Sequence, residues 1–201
     1  MEVITNCIQG SPEWLQARIG SIGGSSIGKA VAKGEGKVRK QLLYDMVGEI
    51  LSGEKKEGFR TVHMEEGLKY EDEARNLYAF QNSVEVEQIA MFRDGPHKHA
   101  SPDGLVGADG LIEIKTVIPS VYVEAKLTGK IPTAYRKQML WSLKRSGRFW
   151  CDYTVYCPYV QDIDPLLIIR VERNEKEIVE LEAGADEFIA EMLSMVERMR
   201  F

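Results

Sequence analysis

The feature that most constrains this chain is a pair of short strands that carries acidic residues into an apolar setting. The two segments read Ser101-Pro102-Asp103-Gly104 and Leu111-Ile112-Glu113-Ile114-Lys115. Asp109-Gly110 between them is a strong β-hairpin signal. Glu113 and Lys115 are two apart on a strand, so their side chains leave one face about 7 Å apart. The turn folds the preceding strand back, which can bring Asp103 beside Glu113.

Two carboxylates and one ammonium therefore converge near the middle of the predicted sheet. A buried pair of acids is costly unless a cation neutralises it. Hard oxygen ligands of this kind suit Mg²⁺ or Mn²⁺, and Lys115 is placed to hold or deprotonate a water beside the metal. A hairpin with surface Asp, Glu and Lys would show the same short pattern, so the motif alone leaves a structural role open. The apolar strand around Glu113 favours the site.

The composition is that of a globular protein rather than a disordered or fibrous one. The chain has 201 residues, 44% hydrophobic and 28% charged, and we expect a single domain over residues 1–201. No apolar run approaches the ~18 residues of a membrane span, and the first residues lack a secretory signal. The three cysteines are widely spaced, which suits a reducing cytosol and argues against a disulfide framework.

The net charge of −5 hides an uneven distribution. Residues 125–149 contain seven bases and no acid, whereas residues 172–201 contain nine acids and four bases. The bases of the first stretch, called the basic run below, are Lys126, Lys130, Arg136, Lys137, Lys144, Arg145 and Arg148. Such a stripe could follow a phosphate backbone. The alternative is a solvated helix face.

The pattern along the chain predicts helices, then a mostly antiparallel group of strands, then further helices and strands. Ser11-Pro12-Glu13 is typical of a helix start. A long helix is predicted from His63 to Gln81, with a core face formed by Tyr70, Ala74, Leu77 and Phe80. Strands are predicted at 84–92, 100–106, 111–117, 149–156 and 166–171, and Asn174 caps a closing helix. The order indicates a mixed α/β fold.

The hairpin residues match, in order, the Pro-Asp…(Asp/Glu)-x-Lys signature of the restriction-endonuclease-like nuclease superfamily. Further motifs are Trp14-x-x-x-Arg18-x-Gly20, Ser25, Gly67-Leu68-Lys69-Tyr70-Glu71 and Ala134-Tyr135-x-x-Gln138. With these, the chain resembles the lambda-exonuclease family of phage-type alkaline exonucleases from about residue 11 to about residue 200. The resemblance implies a restriction-endonuclease-like core, a central mixed sheet flanked by helices.

The same resemblance implies a catalytic group. Asp103 and Glu113 correspond to metal ligands, assisted by the backbone carbonyl of Ile114, and Lys115 corresponds to the residue that activates the attacking water. Glu71 corresponds to the acid that completes a second metal site. Its acidic neighbours leave open that this part of the helix simply faces solvent.

Three further residues match positions that hold the terminal 5′-phosphate: Arg18, Ser25 and Gln138. An arginine at a helix end and a polar residue on a basic helix are also common surface features. The chain has Gly23-Gly24-Ser25 where the family commonly has Thr-Ala-Ser, so we expect a looser loop around Ser25. Met64, at the start of the long helix, matches an apolar wedge that separates DNA strands, although core packing would explain it equally well.

The resemblance implies a Mg²⁺-dependent enzyme, with Mn²⁺ as a substitute, that degrades one strand of linear double-stranded DNA from the 5′ end to nucleotides. It further implies a homotrimeric ring, a single-strand annealing protein as partner in homologous recombination, and a cytoplasmic place in a bacterial host, in a phage or prophage context. The alternatives are an endonuclease or junction resolvase of the same superfamily, a non-catalytic DNA-binding recombination module, and an unrelated α/β domain. Two imidazoles in His97-Lys98-His99 lie in a loop marked by Gly95-Pro96, which does not favour a metal site.

Overall fold

The computed structural model describes residues 2–33, 36–55 and 62–201, and over residues 62–68 it describes the backbone alone. The first half of the chain is mainly helical, and the strands and the last helices follow. The elements are β1 (Glu2–Ile4), α1 (Pro12–Gln16), α2 (Gly24–Ala30), α3 (Lys37–Ser52), α4 (Val62–Asn82), β2 (Val86–Glu87), β3 (Met91–Arg93), β4 (His99–Ala100), β5 (Gly104–Val106), β6 (Gly110–Thr116), α5 (Pro119–Thr128), α6 (Thr133–Ser146), β7 (Trp150–Tyr156), β8 (Leu166–Glu172) and α7 (Glu175–Arg200).

Two helix starts follow from local capping chemistry. Ser11 precedes α1, and its Oγ accepts the backbone N–H of Trp14 at 3.3 Å, with Pro12 in the first helical position. Asn174 precedes α7, and its Oδ1 accepts the N–H of Glu177 at 3.1 Å. Both helices therefore begin where the sequence predicts.

In the part of the chain that the structure describes, the strands form two sheets. The larger has the order β2-β5-β6-β7-β8, and the smaller has the order β1-β3-β4. Neighbouring strands are antiparallel, except that β6 and β7 are parallel. A parallel pair needs a crossover connection, and α5 and α6 supply it. Helix α6 is thereby brought against the sheet that carries Glu113.

Helices cover both faces of the larger sheet. Along β6, Ile112 and Ile114 pack on the side of α4. Leu111 belongs to the larger core with α2, α3, α6 and α7. Because successive side chains of a strand alternate between faces, Glu113 and Lys115 leave β6 on the side of α6.

The expected fold class, a mixed sheet flanked by helices, is confirmed. The predicted core face of α4 is partly wrong: Phe80 is 82% exposed, whereas Tyr78 is 1% exposed. Ala74 is buried as predicted, and Tyr70 and Leu77 pack beside it. The predicted strand at 100–106 is two strands, β4 and β5, separated by Ser101, Pro102 and Asp103. None of the helices in the described residues is both long and apolar enough to cross a membrane.

Candidate active site

A cleft of about 1470 Å³ lies beside the end of β6. Its walls come from the segment before α1, from α1, α2, α4 and α6, and from β6 itself. The lining includes most of the site residues expected from the sequence: Ser25, Glu71, Asp103, Ile114, Lys115 and Gln138. Residues that lie up to 113 positions apart in the chain, from Ser25 to Gln138, therefore face one space.

The hairpin brings the two acids together as predicted, but its turn lies at residues 107–109, with Gly107 in the left-handed region, and Gly110 already belongs to β6. Asp103 lies just before β5, and its Oδ2 accepts the backbone N–H of Ile114 at 2.6 Å. Glu113 is 1% exposed, and its Oε1 accepts from Lys115 Nζ and from Gln138 Nε2, each at 2.5 Å. The buried carboxylate thus has one cationic and one neutral partner.

Burial and neighbouring charges shift the pKa values of the side chains in this group. Burial raises the pKa of Glu113 to about 7, the Lys115 ammonium opposes the rise, and the Asp103 carboxylate adds to it. Burial likewise raises the pKa of Glu71 to about 7, with Asp103 adding to the effect. Burial opposes the charge on Lys115, but the carboxylates of Glu113 and Asp103 outweigh it and raise the pKa of its ammonium. Lys115 is therefore held in its protonated form.

Arg75 connects α4 to the hairpin, and sequence reasoning gave it no role. Its guanidinium pairs with the Glu71 carboxylate one helical turn earlier, and its Nε donates to the backbone carbonyl of Asp103 at 2.9 Å. Arg75 itself is 5% exposed. The four-residue spacing from Glu71 is a detectable helix-pair signal, but the contact with Asp103 is not visible in the sequence.

The three residues expected around the 5′-phosphate differ in exposure and in position along the cleft. Ser25 is exposed on the cleft wall. Arg18 is half-buried, and its guanidinium stacks 3.7 Å from the ring centroid of Trp14, which lines the cleft. Gln138 is bonded to Glu113 and so lies at the carboxylate end of the cleft.

The expectation of a looser loop at Gly23-Gly24 is wrong. A Cβ at Gly23 would lie 2.4 Å from Nε2 of His99, and one at Gly24 would lie 2.9 Å from Cγ of Gln138. Both glycines permit close approach of α2 to its neighbours. The departure from Thr-Ala-Ser thus reflects tighter packing, and Ser25 follows directly on a closely fitted segment.

The expectation that the basic run forms one DNA-facing stripe is wrong for Arg145, and two further members make contacts within the protein. Arg145 is 0% exposed and pairs with Asp94 and Glu182. Arg136 pairs with Glu177, and Arg148 donates to backbone carbonyls around the β5–β6 turn. The bases that remain at the surface are the lysines Lys126, Lys130, Lys137 and Lys144, of which Lys137 lines the cleft.

The wedge expected at Met64 is not tested, because the side chain of Met64 lies outside the described residues.

The donor set at the cleft fits a divalent cation. Asp103, Glu113 and the carbonyl of Ile114 offer hard oxygen ligands. The Lys115 ammonium is the cation that acts on the Glu113 carboxylate, whereas Asp103 adds a second negative charge. Among the described residues, no three His, Cys, Asp or Glu side chains surround a single point. A cation here would therefore share two carboxylates with a backbone carbonyl and water, an arrangement that suits Mg²⁺.

A comparison with protein families identifies the family to which the chain belongs. The model of the YqaJ-like viral recombinase domain matches residues 13–148. This chain belongs to the YqaJ-like viral recombinase family. The matched region contains α1, α2, the hairpin and α6, and so includes every residue that the sequence assigned to the site. Among curated proteins, none matches the chain.

Two exonucleases are among the solved structures that are similar to this YqaJ-like chain. An alkaline exonuclease, LHK-Exo from Laribacter hongkongensis, is 29% identical with a TM-score of 0.88, covering 94% of this chain and 96% of that one. The same enzyme in complex with dAMP gives a TM-score of 0.89 at 29% identity and the same coverage. A phage-related exonuclease from Haemophilus somnus, 14% identical with a TM-score of 0.62, covers 87% of this chain and 96% of its own, and shares the fold. The resemblance to the lambda-exonuclease family is confirmed, and a nuclease is supported.

Proposed function

We propose that this protein is a divalent-metal-dependent deoxyribonuclease that digests one strand of linear double-stranded DNA from the 5′ end and releases nucleotides. The observation that carries the proposal is that Asp103 and Lys115 line one wall of an open cleft, with the buried Glu113 carboxylate paired to Lys115 directly behind that wall. Burying a carboxylate as deeply as Glu113 is unfavourable for folding alone, so its retention beside Asp103 favours a cation site. Membership of a viral recombinase family and similarity to an alkaline exonuclease support the same function.

Mg²⁺, or Mn²⁺ in its place, would be held by Asp103, Glu113 and the carbonyl of Ile114, and Glu71 faces the same cleft as the acid for a second cation. When bound, the metal stabilises negative charge on the attacking and leaving oxygens of an in-line displacement. Arg75 contacts both the Glu71 carboxylate and the backbone carbonyl of Asp103, and so fixes the position of one relative to the other.

Lys115 would hold the attacking water and the scissile phosphate. Its ammonium pairs with the Glu113 carboxylate and lines the cleft, where it would act as a hydrogen-bond donor and a positive charge. Its Nζ also lies 5.2 Å from the ring centroid of Tyr135, which limits the directions in which the side chain can turn. Gln138 fixes the Glu113 carboxylate from the opposite helix.

Recognition of the DNA end would come from Arg18, Ser25 and Gln138, which bind the terminal 5′-phosphate. A terminal phosphate carries more negative charge than an internal one and so gains more from a guanidinium. Met64 would separate the strands. Met64→Ala should then slow digestion of duplex more than digestion of frayed ends, and equal slowing on both would assign Met64 to packing.

The proposed setting is homologous recombination by single-strand annealing, in the cytoplasm of a bacterial host and in a phage or prophage context. The strand left by digestion would be loaded with a single-strand annealing protein. We further propose that residues 1–201 act as one nuclease domain and assemble into a homotrimeric ring around DNA. Light scattering coupled to size exclusion tests the assembly, since a monomer in solution contradicts the ring.

The deciding experiment is digestion of linear duplex labelled at the 5′ or the 3′ end, with Mg²⁺ and with EDTA. Early release of the 5′ label as mononucleotide, only with Mg²⁺, is the expected result. Covalently closed circular DNA is the matched control: its cleavage would indicate an endonuclease or resolvase. Absence of acid-soluble product from linear duplex in the presence of Mg²⁺ would leave a non-catalytic DNA-binding module.

A further inference from the structure

A group of polar side chains lies behind the α1–α2 wall of the cleft, apart from the carboxylates. Arg18 Nε donates to Nε2 of His99 at 2.8 Å, and Nδ1 of His99 lies 2.8 Å from Oγ of Ser21. His99 is 2% exposed and Ser21 is 4% exposed. The proposed function assigns no part to either residue.

The contacts fix the state of the His99 ring. An arginine has donors and no acceptor, so Nε2 of His99 must carry a lone pair to receive the Arg18 N–H. The ring proton is therefore on Nδ1, where it donates to Oγ of Ser21. Burial lowers the pKa of His99 well below its ordinary value, and the Arg18 charge adds to the effect. The imidazole is thus neutral and held in one tautomer.

The other edge of Arg18 is left for a ligand. Among the described residues, Arg18 forms no ion pair, and His99 is the one hydrogen-bond partner of its guanidinium. One face of the guanidinium is covered by the Trp14 ring. The Trp14 indole is itself anchored, because Nε1 donates to Ala90 O and to Ser101 Oγ, each at 3.2 Å. Within the described part of the chain, the two terminal amino groups have no hydrogen-bond partner, and Glu49 is the acid whose charge acts on this guanidinium.

We propose that His99 is a positioning residue that fixes the Nε edge of Arg18, so that the two terminal amino groups are held ready for the 5′-phosphate of a DNA end. The inference rests on the proposed function, in which Arg18 binds that phosphate. His99 acts through Arg18 and does not touch the DNA.

A neutral partner suits this task better than an acid. A carboxylate in place of His99 would form a bidentate pair with the guanidinium and neutralise its charge. The imidazole accepts one hydrogen bond and, being neutral, does not itself offset the charge of the guanidinium. Gly23 provides the space for the ring, since a Cβ there would meet Nε2 at 2.4 Å.

The test compares KM and kcat on linear duplexes with 5′-phosphoryl and 5′-hydroxyl ends. In His99→Leu, which removes the acceptor, the preference for the phosphorylated end should fall about fivefold to tenfold, as for one lost hydrogen bond to a charged group. The loss should appear in KM for the 5′-phosphoryl duplex. His99→Gln should restore part of it, because the amide oxygen of Gln is as many bonds from Cα as Nε2 of His. His97→Leu, in the β3–β4 loop, is the control: it removes an imidazole that bonds to the Gly20 carbonyl and not to Arg18, and it should keep the parent preference.

A double variant separates positioning from general packing. Arg18→Ala combined with His99→Leu should show no lower preference than Arg18→Ala alone, because His99 acts only through Arg18. If His99→Leu does not fold by circular dichroism, Ser21→Ala serves instead. It removes the partner of Nδ1 and should lower the preference by a smaller factor.

The outcomes distinguish this inference from the proposed function. A parent that digests both ends equally overturns the phosphate role of Arg18 and the positioning role of His99 with it. A parent that prefers 5′-phosphate, combined with a folded His99→Leu or Ser21→Ala of unchanged preference, overturns the role of His99 alone. Equal loss of kcat on both ends in His99→Leu would assign the ring to packing.

Discussion

Gly23→Ala is the sharpest test of the fit between α2 and the His99 ring. The added Cβ would lie 2.4 Å from Nε2 and 2.8 Å from Cε1, whereas ordinary van der Waals contact begins at 3.4 Å. The ring or the helix must therefore move by about 1 Å. The backbone at Gly23 is extended (φ −106°, ψ 173°) and accepts alanine, so the perturbation is steric rather than conformational.

The ring has little freedom to yield. The His99 carbonyl accepts from Trp141 Nε1 at 2.8 Å, and Nδ1 is bonded to Ser21. Overpacking of this kind costs about 1–3 kcal/mol, and loss of glycine at the N-cap adds up to about 1 kcal/mol. Since 1 kcal/mol corresponds to about 2–4 °C in a chain of this size, Tm should fall by about 2–16 °C. A shift of 1 Å also breaks the 2.8 Å bond from Arg18.

The assay pairs thermal unfolding with initial rates on 5′-phosphoryl and 5′-hydroxyl duplexes. Gly23→Ala should lower both Tm and the rate ratio between the two ends, the latter by about tenfold. Gly48→Ala is the matched control, because nothing lies within 4 Å of its Cβ position inside α3. It should stabilise the protein by about 0.5–1 kcal/mol and leave the ratio unchanged. If Gly23→Ala keeps the parent Tm and ratio, the close contact with His99 is wrong.

Three further predictions concern the catalytic group and the surface. Asp103→Ala, Glu113→Ala and Lys115→Ala should each lower acid-soluble nucleotide release by about 10²-fold or more with a native circular dichroism spectrum, and a fully active Lys115→Ala would contradict the site. In EDTA, Tm should fall as the pH rises from 4.5 to about 7, because Glu71 and Glu113 keep protons in the folded state that they lose when unfolded. Adding Mg²⁺, or replacing Glu113 by Gln, should reduce this fall in Tm. The control Glu180→Gln should leave it unchanged. Neutralising pairs among Lys126, Lys130, Lys137 and Lys144 should reduce the slope of log affinity against log salt by about one unit per lost phosphate contact. The control Lys176→Gln should leave the slope unchanged. An unchanged slope in the paired variants would place these lysines away from DNA.

The parts of the site that sequence analysis predicted are those determined by local geometry. The hairpin was predictable from a turn signal one residue away from the actual turn at 107–109, and with strand alternation it brings Asp103 to the backbone of Ile114 and directs Glu113 and Lys115 to one face. The two carboxylates proposed as metal ligands, Asp103 and Glu113, lie 10 residues apart in the chain. Short-range rules for turns and strands therefore apply to them directly.

The parts that sequence analysis missed depend on partners that are distant in the chain. The apolar residues of α4 lie on several sides of the helix, and only the position of the sheet selects Tyr78 over Phe80 for burial. Strand β1 has three residues and pairs with β3, which is about 90 residues away. Arg145 looks like a surface base in a charge count, yet it is paired with Asp94 and Glu182 in the interior.

The cleft has one wall built from neighbouring segments and one built from remote segments. Asp103 and Ile114 are 11 residues apart, and Glu113 and Gln138 are 25 apart. On the other wall, Arg18 reaches His99 across 81 residues. Closing that longer loop depends on the docking of α1 and α2 onto β4.

This asymmetry has a consequence for local opening. Amide protons of β6, in the middle of the five-stranded sheet, should exchange with solvent only on global unfolding, whereas those of α1 and α2 should exchange through a smaller opening of lower free energy. Mild denaturant would then release the Arg18 wall while the hairpin stays protected. An enzyme in that state would keep its carboxylates aligned and lose its ability to distinguish one kind of DNA end from another.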